Sequence, residues 1–280
     1  MEKVHIQAGT INYRDEGEGP VILFMHGSLS NGQTWRKVIP LLSKHYRCIV
    51  PDLPLGGHSI PLLPSTDFTP PGIAAIMKQF VDALHLDEFI LLGNDTGGAY
   101  AQVFTMLFPE RVTKLILCNV DAFEIFPPKT FALLQLAVKI PGFSFLMAQL
   151  FRFKPALRAS WALGPLSHKV REGEFRDLYV HNYITNSEVR ANFVKVVKGW
   201  SPKHTLEAAE KLASFYNPVL VLWGADDQLF PIELGKRVSG IFPNAQFVIV
   251  NHSRTLVQED QPEMFALHLQ QFIACSTLAP

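Results

Sequence analysis

The chain has 280 residues, 48% of them hydrophobic and 18% charged, which is enough apolar material for one large core without disulfides. Its 25 Lys and Arg balance its 25 Asp and Glu, so we expect a small-molecule substrate and no nucleic-acid or membrane partner. The three cysteines are widely separated, and the sequence shows neither a secretory leader nor an apolar run of 18 residues. We therefore predict a cytoplasmic protein, either a monomer or a homodimer, that holds no metal or cofactor.

Most of the chain alternates strand-like and helix-like patterns. Residues 4–13 alternate polar and apolar side chains and predict an antiparallel hairpin at a sheet edge. Helical periodicity is visible at Gly72–Leu84 and Gly97–Phe108. Continuous apolar runs indicate strands buried on both faces: Val21–Met25, Arg47–Val50, Phe89–Leu92, Leu115–Cys118, Val219–Trp223 and Phe247–Val250. Together they predict an α/β fold with a mostly parallel central sheet flanked by helices.

The stretch from residue 123 to residue 205 carries no recognisable buried strand. Its many phenylalanines stand among helix-like segments that prolines and glycines interrupt. We therefore predict a helical insertion at 123–205 between two parts of one core, 1–122 and 206–280. The phenylalanines would line a cleft for an apolar substrate, form the insertion's own core, or bury a dimer contact, and the sequence does not divide these roles.

A glycine-rich turn joins the strand at residues 89–92 to the helix that follows. In the segment 93–98 (GNDTGG), glycines stand two positions before and two positions after Asp95, as a tight nucleophile elbow requires. The start of a helix favours a negative charge, and the amide of Thr96 would face the reacting atoms. Taken alone, the turn is equally compatible with Asp95 as a simple helix cap.

A second turn, formed by His26, Gly27 and Ser28, follows the strand at residues 21–25. Together with this turn and the elbow, the segments 51–59 (PDLPLGGHS) and 223–231 (WGADDQLFP) make the chain resemble the α/β-hydrolase superfamily over nearly its whole length. The resemblance implies the α/β-hydrolase fold, with 123–205 as its helical cap domain. It also implies an oxyanion pocket made by the amides of Ser28 and Thr96, with His26 orienting its turn.

The aspartate at the elbow is similar to that of haloalkane dehalogenases and epoxide hydrolases. This resemblance implies that Asp95 forms a covalent alkyl ester, which a histidine-activated water then hydrolyses. The acid that orients the histidine would be Asp227, or Asp121 at the place some dehalogenases use. The family's usual histidine position, however, holds Thr255 in this chain.

Two histidines are candidates for the missing base. His252 lies three residues before Thr255, and His58 stands in a loop expected to border the pocket. Either could instead be a structural or surface residue. Tyr179 and Tyr183, four residues apart, could supply the phenols with which epoxide hydrolases protonate the substrate oxygen, or they could be packing residues.

These features predict a hydrolase that acts on a small, largely apolar substrate, with Asp95 as nucleophile or general base. Two alternatives stay open. Asp95 could be the base of a non-hydrolytic lyase, isomerase or cyclase, its pKa raised by an apolar pocket. The chain could also be a catalytically inactive member of the fold that binds a ligand.

Overall fold

The computed structural model describes residues 1–275 and contains one eight-stranded sheet. The strands are β1 Glu2–Ile6, β2 Gly9–Glu16, β3 Val21–Met25, β4 Arg47–Pro51, β5 Phe89–Asp95, β6 Val112–Val120, β7 Val219–Gly224 and β8 Ala245–Val250. Their order in the sheet is β1-β2-β4-β3-β5-β6-β7-β8. β2 pairs antiparallel with β1 and β4, and every other neighbouring pair is parallel.

Helices cover both faces of this sheet, and others lie in the segment between β6 and β7. In chain order the helices are α1 Ile39–Leu42, α2 Pro70–Ala83, α3 Thr96–Leu107, α4 Lys129–Ala137, α5 Phe143–Phe151, α6 Glu172–Glu174, α7 His181–Thr185, α8 Ser187–Gly199, α9 Pro202–Leu212, α10 Ile232–Ser239, α11 Val257–Asp260 and α12 Pro262–Cys275. No helix within residues 1–275 is long and apolar enough to cross a membrane.

The sheet has an apolar core on each face, and β3 shows why. Leu23 and Met25 pack into a cluster with residues of α2 and α3, while Ile22 and Phe24 pack into a second cluster with residues of α1 and α12. Successive strand residues point to opposite faces, so a strand buried on both sides must be apolar throughout. The predicted fold class is confirmed: the apolar runs all lie in β3 to β8, and the predicted hairpin is β1 and β2 at the edge.

The segment between β6 and β7 contains helices α4 to α9. The boundary predicted at residue 205 falls inside α9, which packs against α3 beside the sheet. A helix cannot easily be divided between two bodies, so α9 is better grouped with the core. The division into core and cap otherwise stays a prediction, and residues 276–280 of the predicted core lie outside the described residues.

Two buried carboxylates near α11 hold the inserted helices against the rest of the chain. Glu259 is fully buried, forms an ion pair with Arg36 and accepts a hydrogen bond from the hydroxyl of Tyr179. Asp260 accepts hydrogen bonds from the hydroxyl of Ser167 and from the amides that follow it. We call the contact of Glu259 with Arg36 and Tyr179 the buried clamp.

A buried amide side chain fixes the end of β5. The Asn94 Nδ2 donates to the carbonyl of Cys118 at 2.7 Å and to that of Thr255 at 2.8 Å, and its Oδ1 accepts from Gln258 Nε2 at 2.9 Å. Asn94 thereby ties β5 to β6 and to the loop after β8. Because buried amides lose their contacts with water, satisfying these bonds inside the protein is necessary for stability.

We predict that Asn94→Ala lowers the free energy of unfolding by about 2–4 kcal/mol, because two buried carbonyls lose the donor they share and Gln258 Nε2 keeps only its bond to Thr34. Urea unfolding followed by circular dichroism measures this loss. The control is Asn186→Ala, which removes the exposed cap of α8 and should cost about 1 kcal/mol. Equal losses in the two variants would contradict a bridging role for Asn94.

Candidate active site

Asp95 lies at a sharp turn where β5 passes directly into α3. Its φ of 55° is in the left-handed region, which residues with a Cβ adopt at a cost. The neighbouring glycines are required by close packing: a Cβ on Gly97 would lie 2.4 Å from the carbonyl oxygen of Met25, and one on Gly93 would lie 2.7 Å from the Cα of Gly98. The Asp95 side chain does not cap α3. Simple helix capping therefore does not account for this aspartate.

The carboxyl of Asp95 rests against the turn after β3. A Cβ on Gly27 would fall 2.0 Å from Asp95 Oδ2, so only glycine allows the carboxyl to approach the turn this closely. Burial raises the pKa of Asp95 to about 7, and the charge of Asp227 adds to the rise. Hydrogen bonds from the amides of Thr96 and Ser28 act in the opposite direction by stabilising the ionised form. One carboxylate thus occupies the place where these amides would stabilise an oxyanion.

Asp121, which follows β6, is a second buried carboxyl in the same cavity. Its Oδ1 is buried and has no hydrogen-bond partner among the described residues. Burial, together with the negative charge of Asp95, raises the pKa of Asp121 well above its usual range. Two buried carboxyls in one cavity cannot both ionise easily, because the charge on one raises the pKa of the other.

The space in front of the pair is small and mainly apolar. The cavity measures about 50 Å³ and is lined by Ser28, Leu29, Asp95, Thr96, Asp121, Phe126, Pro127, Pro128, Phe131, Leu134, Leu163, Leu166, Phe193 and Trp200. Leu29, Phe131, Leu134 and Leu163 also line a neighbouring groove of about 500 Å³ between α4, α5 and residues 161–163. We call this second space the apolar groove. The shared residues form a common wall between the two spaces.

Asp227 is half-buried, does not line the cavity and already has partners. Its Oδ1 accepts the hydroxyl of Thr255 at 3.0 Å and the amides of Leu229 and Phe230 at 2.8 and 3.1 Å, and Asn119 donates to Oδ2. Burial raises the pKa of Asp227 to about 6. The residue at the expected histidine position thus bonds to the expected acid, but a hydroxyl cannot supply the base that a histidine would.

The structure brings neither candidate histidine to the cavity. His252 is exposed, with a φ of 55°, and its carbonyl accepts a hydrogen bond from Gln261. His58 is buried, its Nε2 lies 3.2 Å from Asn192 Oδ1, and burial lowers its pKa to about 4. A role for either as the base that activates water has no support in this geometry, because neither lines the space where a water would meet Asp95.

His26 has the bonding expected of a residue that orients its turn. Its Nε2 accepts the amide of Leu53 at 2.8 Å, which leaves Nδ1 to donate to the carbonyl of Gly27 at 2.9 Å. Burial lowers the pKa of His26 to about 4, so it is neutral at physiological pH. The ring holds the turn that carries Gly27 and Ser28 in place.

The two tyrosines considered as proton donors also lie outside the cavity. The hydroxyl of Tyr179 donates to Glu259 in the buried clamp, and that of Tyr183 lies 2.8 Å from Ser144 Oγ. Both side chains are engaged in holding helices together. Phe126, Phe193 and Trp200 line the cavity. This role could not be predicted from the sequence, because periodicity alone does not distinguish aromatic residues of a cavity wall from those of a core.

The sheet order and the strand-to-helix elbow are those of α/β hydrolases, and a profile described as "alpha/beta hydrolase fold" matches residues 20–262. The chain therefore belongs to the alpha/beta hydrolase fold family. It is 28% identical to a 2-hydroxy-6-oxononadienedioate/2-hydroxy-6-oxononatrienedioate hydrolase of Dechloromonas aromatica, over 94% of this chain and 90% of that protein. It is 25% identical to an uncharacterised hydrolase of Bacillus subtilis, over 94% and 92%. These matches support the prediction of a hydrolase.

Solved structures show the same fold at low identity. The haloalkane dehalogenase DbeA of Bradyrhizobium elkani superposes with a TM-score of 0.82 at 18% identity, covering 100% of this chain and 99% of that one. A thermophilic esterase of Thermogutta terrifontis gives a TM-score of 0.77 at 21% identity, covering 98% of each chain. One fold thus carries different chemistries in these relatives, and the activity must be argued from the site.

The raised pKa of Asp95 makes a prediction about stability. A carboxyl whose folded-state pKa lies above its unfolded value holds its proton more tightly in the folded protein, so the protein loses stability as the pH rises through the folded pKa. The rise from 3.8 to about 7 corresponds to about 4 kcal/mol once Asp95 is ionised. We therefore expect Asp95→Asn to be more stable than wild type near pH 8.

Chemical unfolding of both proteins at several pH values tests this expectation. The difference in unfolding free energy should shrink steadily from about pH 8 to about pH 4.5, where the unfolded carboxyl also begins to hold its proton. The exposed Asp87→Asn provides the control and should show no such trend. A difference that does not change with pH would contradict a buried, proton-binding Asp95.

Proposed function

We propose that this chain hydrolyses a C–O bond of a small, largely apolar and uncharged molecule, such as an epoxide. In this proposal Asp95 is the nucleophile, and Asp121 acts first as a general acid and then as a general base. The observation that carries the proposal is the pair of buried carboxyls in one apolar cavity, with an unpartnered oxygen on Asp121 and no histidine among the residues that line it.

In the first step, the carboxylate of Asp95 attacks a carbon of the substrate. The C–O bond of the epoxide breaks, and its oxygen takes the proton from Asp121. An alkyl ester then joins Asp95 to the product, and Asp121 is left ionised. The raised pKa of Asp121 supports this role, because a carboxyl that keeps its proton near neutral pH can donate it.

In the second step, ionised Asp121 removes a proton from water, and the resulting hydroxide attacks the ester carbonyl of Asp95. The amides of Ser28 and Thr96, which already hydrogen-bond the carboxylate, stabilise the negative oxygen of the tetrahedral intermediate. The departing alkoxide takes the proton from Asp121, and Asp95 is released as a carboxylic acid. Transfer of that proton from Asp95 to Asp121 restores the starting state. The same division of labour between two carboxyls operates in retaining glycosidases.

The walls of the site support an uncharged substrate. The relative from Dechloromonas aromatica is named for a dioate, a molecule with two carboxylates. No Lys or Arg of residues 1–275 lines the cavity or the apolar groove, and two buried carboxyls would repel an anion. A small reacting group that reaches Asp95, with an apolar remainder lying toward the groove, suits these surroundings better.

We predict that Asp121→Asn slows both steps, but the second far more, so that the ester accumulates. A carboxamide can still donate a hydrogen bond to the epoxide oxygen, whereas it cannot take a proton from water. Incubation with an epoxide panel, followed by intact-mass spectrometry, should show an adduct of substrate mass that persists on Asp121→Asn, is transient on wild type and is absent from Asp95→Asn. Wild-type kcat/KM should fall below about pH 7, where Asp95 takes up its proton, and again at high pH, where Asp121 loses its own.

Asp226→Asn is the matched control, because this exposed neighbour of Asp227 pairs with His168 outside the cavity and should leave both readouts unchanged. Single turnover in oxygen-18 water should leave the label on Asp95 rather than in the product. Turnover without an adduct, with solvent hydrogen exchanged into the product, would contradict the covalent route and favour Asp95 as a general base in an isomerase or lyase.

A further inference from the structure

Part of the inserted segment is positively charged, although the formal net charge of the whole chain is zero. From residue 125 to residue 171 the chain contains no Asp or Glu, but it contains seven basic residues: Lys129, Lys139, Arg152, Lys154, Arg158, Lys169 and Arg171. Because the whole chain has a formal net charge of zero, the compensating acidic residues lie elsewhere in the sequence. One part of the molecule is therefore locally cationic.

The same stretch exposes an unusual amount of apolar surface. Half of the large hydrophobic side chains that are exposed in the described residues fall within it: Leu133, Leu136, Ile140, Phe145, Leu146, Leu150, Phe153 and Trp161. We call these eight residues the apolar face. Leu133 is 73% exposed and Trp161 is 49% exposed. Exposed apolar side chains that cluster in this way mark a surface that contacts something other than water.

These side chains are neighbours in space as well as in sequence. Leu133 of α4, Leu146 and Leu150 of α5, and Trp161 all line the apolar groove. Leu136 follows Leu133 by three residues on α4, which places the two on the same side of the helix. The apolar face is thus continuous with the apolar groove, which adjoins the cavity of the carboxyl pair.

Basic side chains flank the apolar face at the ends of its two helices. Lys129 begins α4 and Lys139 follows its end, while Arg152 and Lys154 follow the end of α5. All four are exposed, and none forms an ion pair with a carboxylate of residues 1–275. An apolar surface edged by free cations matches the interface of a lipid bilayer, which offers acyl chains beneath anionic headgroups.

We propose that the apolar face and its basic edge bind the surface of a bilayer containing anionic phospholipids. This differs from the absence of a membrane partner expected from net charge, because binding at an interface depends on local charge and exposed apolar area. A second copy of the chain fits the face less well. Self-association through it would bring two sets of basic side chains together without a facing carboxylate.

The first test is co-sedimentation with vesicles, which requires no substrate. Wild type should bind phosphatidylcholine vesicles with about 30% phosphatidylglycerol and not pure phosphatidylcholine, and added salt should weaken the binding. Lys139→Glu/Arg152→Glu should reduce the partition coefficient about tenfold or more. The control Lys3→Glu/Lys236→Glu changes equally exposed charges outside the inserted helices and should retain most of the binding.

The second test addresses the apolar face. Leu133→Ser/Leu146→Ser should weaken binding strongly, whereas Leu206→Ser/Leu267→Ser, at exposed leucines of α9 and α12, should not. Because Trp35, Trp200 and Trp223 are buried, a blue shift of tryptophan fluorescence on adding vesicles should come from Trp161 and vanish in Trp161→Phe.

Three results would overturn the proposal: no vesicle binding, binding that ignores lipid charge, or a solution dimer that Leu133→Ser/Leu146→Ser dissociates without any vesicle binding. If Leu133→Ser/Leu146→Ser fails to fold, Lys139→Glu/Arg152→Glu still tests the proposal, because Lys139 and Arg152 are exposed and their substitution should not disturb folding. None of these readouts depends on the reaction at Asp95. Failure here therefore leaves the proposed hydrolysis untouched, and the reverse also holds.

Discussion

The burial of one carboxyl at the end of β5 is the constraint on which the rest of the site depends. Asp95 combines a strained backbone conformation with an almost complete loss of contact with water, and both carry a cost in stability. The amides of Ser28 and Thr96 offset part of it, and they can do so only because Gly27 leaves room for the carboxyl. Asn94 holds the strand end where this geometry is possible.

A second carboxyl beside the first changes what the site can do. Asp121 shares the cavity with Asp95, and the charge of Asp95 raises the pKa of Asp121. In the proposed reaction the two carboxyls supply both the acid and the base that a site without a nearby histidine needs. Thr255 is compatible with this arrangement, since its hydroxyl bonds to Asp227 at the position where a histidine would stand in the family's pattern.

The fold was predictable because its determinants are local in sequence. A strand buried on both faces must be apolar throughout, as β3 and β7 are, and an elbow needs glycine at fixed distances from its central residue. The hydrogen-bond partners of individual side chains were harder to predict from the sequence. Tyr179 has a spacing suited to a proton donor, yet it bonds to Glu259, which is 80 residues away in the chain.

Two further features of the molecule could not be predicted from residue patterns or from total charge. The Oδ1 atom of Asp121 has no hydrogen-bond partner among the described residues. A residue pattern does not encode whether a donor from a distant part of the chain lies near a given atom. The basic surface of the inserted helices disappears when charges are summed over the chain, although it is plain when they are counted over residues 125–171. Charge is informative about partners at the scale of a surface rather than at the scale of a whole protein.

The buried clamp has a consequence for how molecules move in and out. Moving the inserted helices away from α11 would break the hydrogen bond that Tyr179 donates to Glu259 and the one that Ser167 donates to Asp260. Hydrogen bonds to buried carboxylates are among the stronger ones in a protein. These bonds hold the inserted helices on the α11 side and disfavour their movement as one rigid lid. Exchange of substrate and product would then depend on side-chain movement between α4 and α5, where Phe131 and Leu134 line both the cavity and the apolar groove.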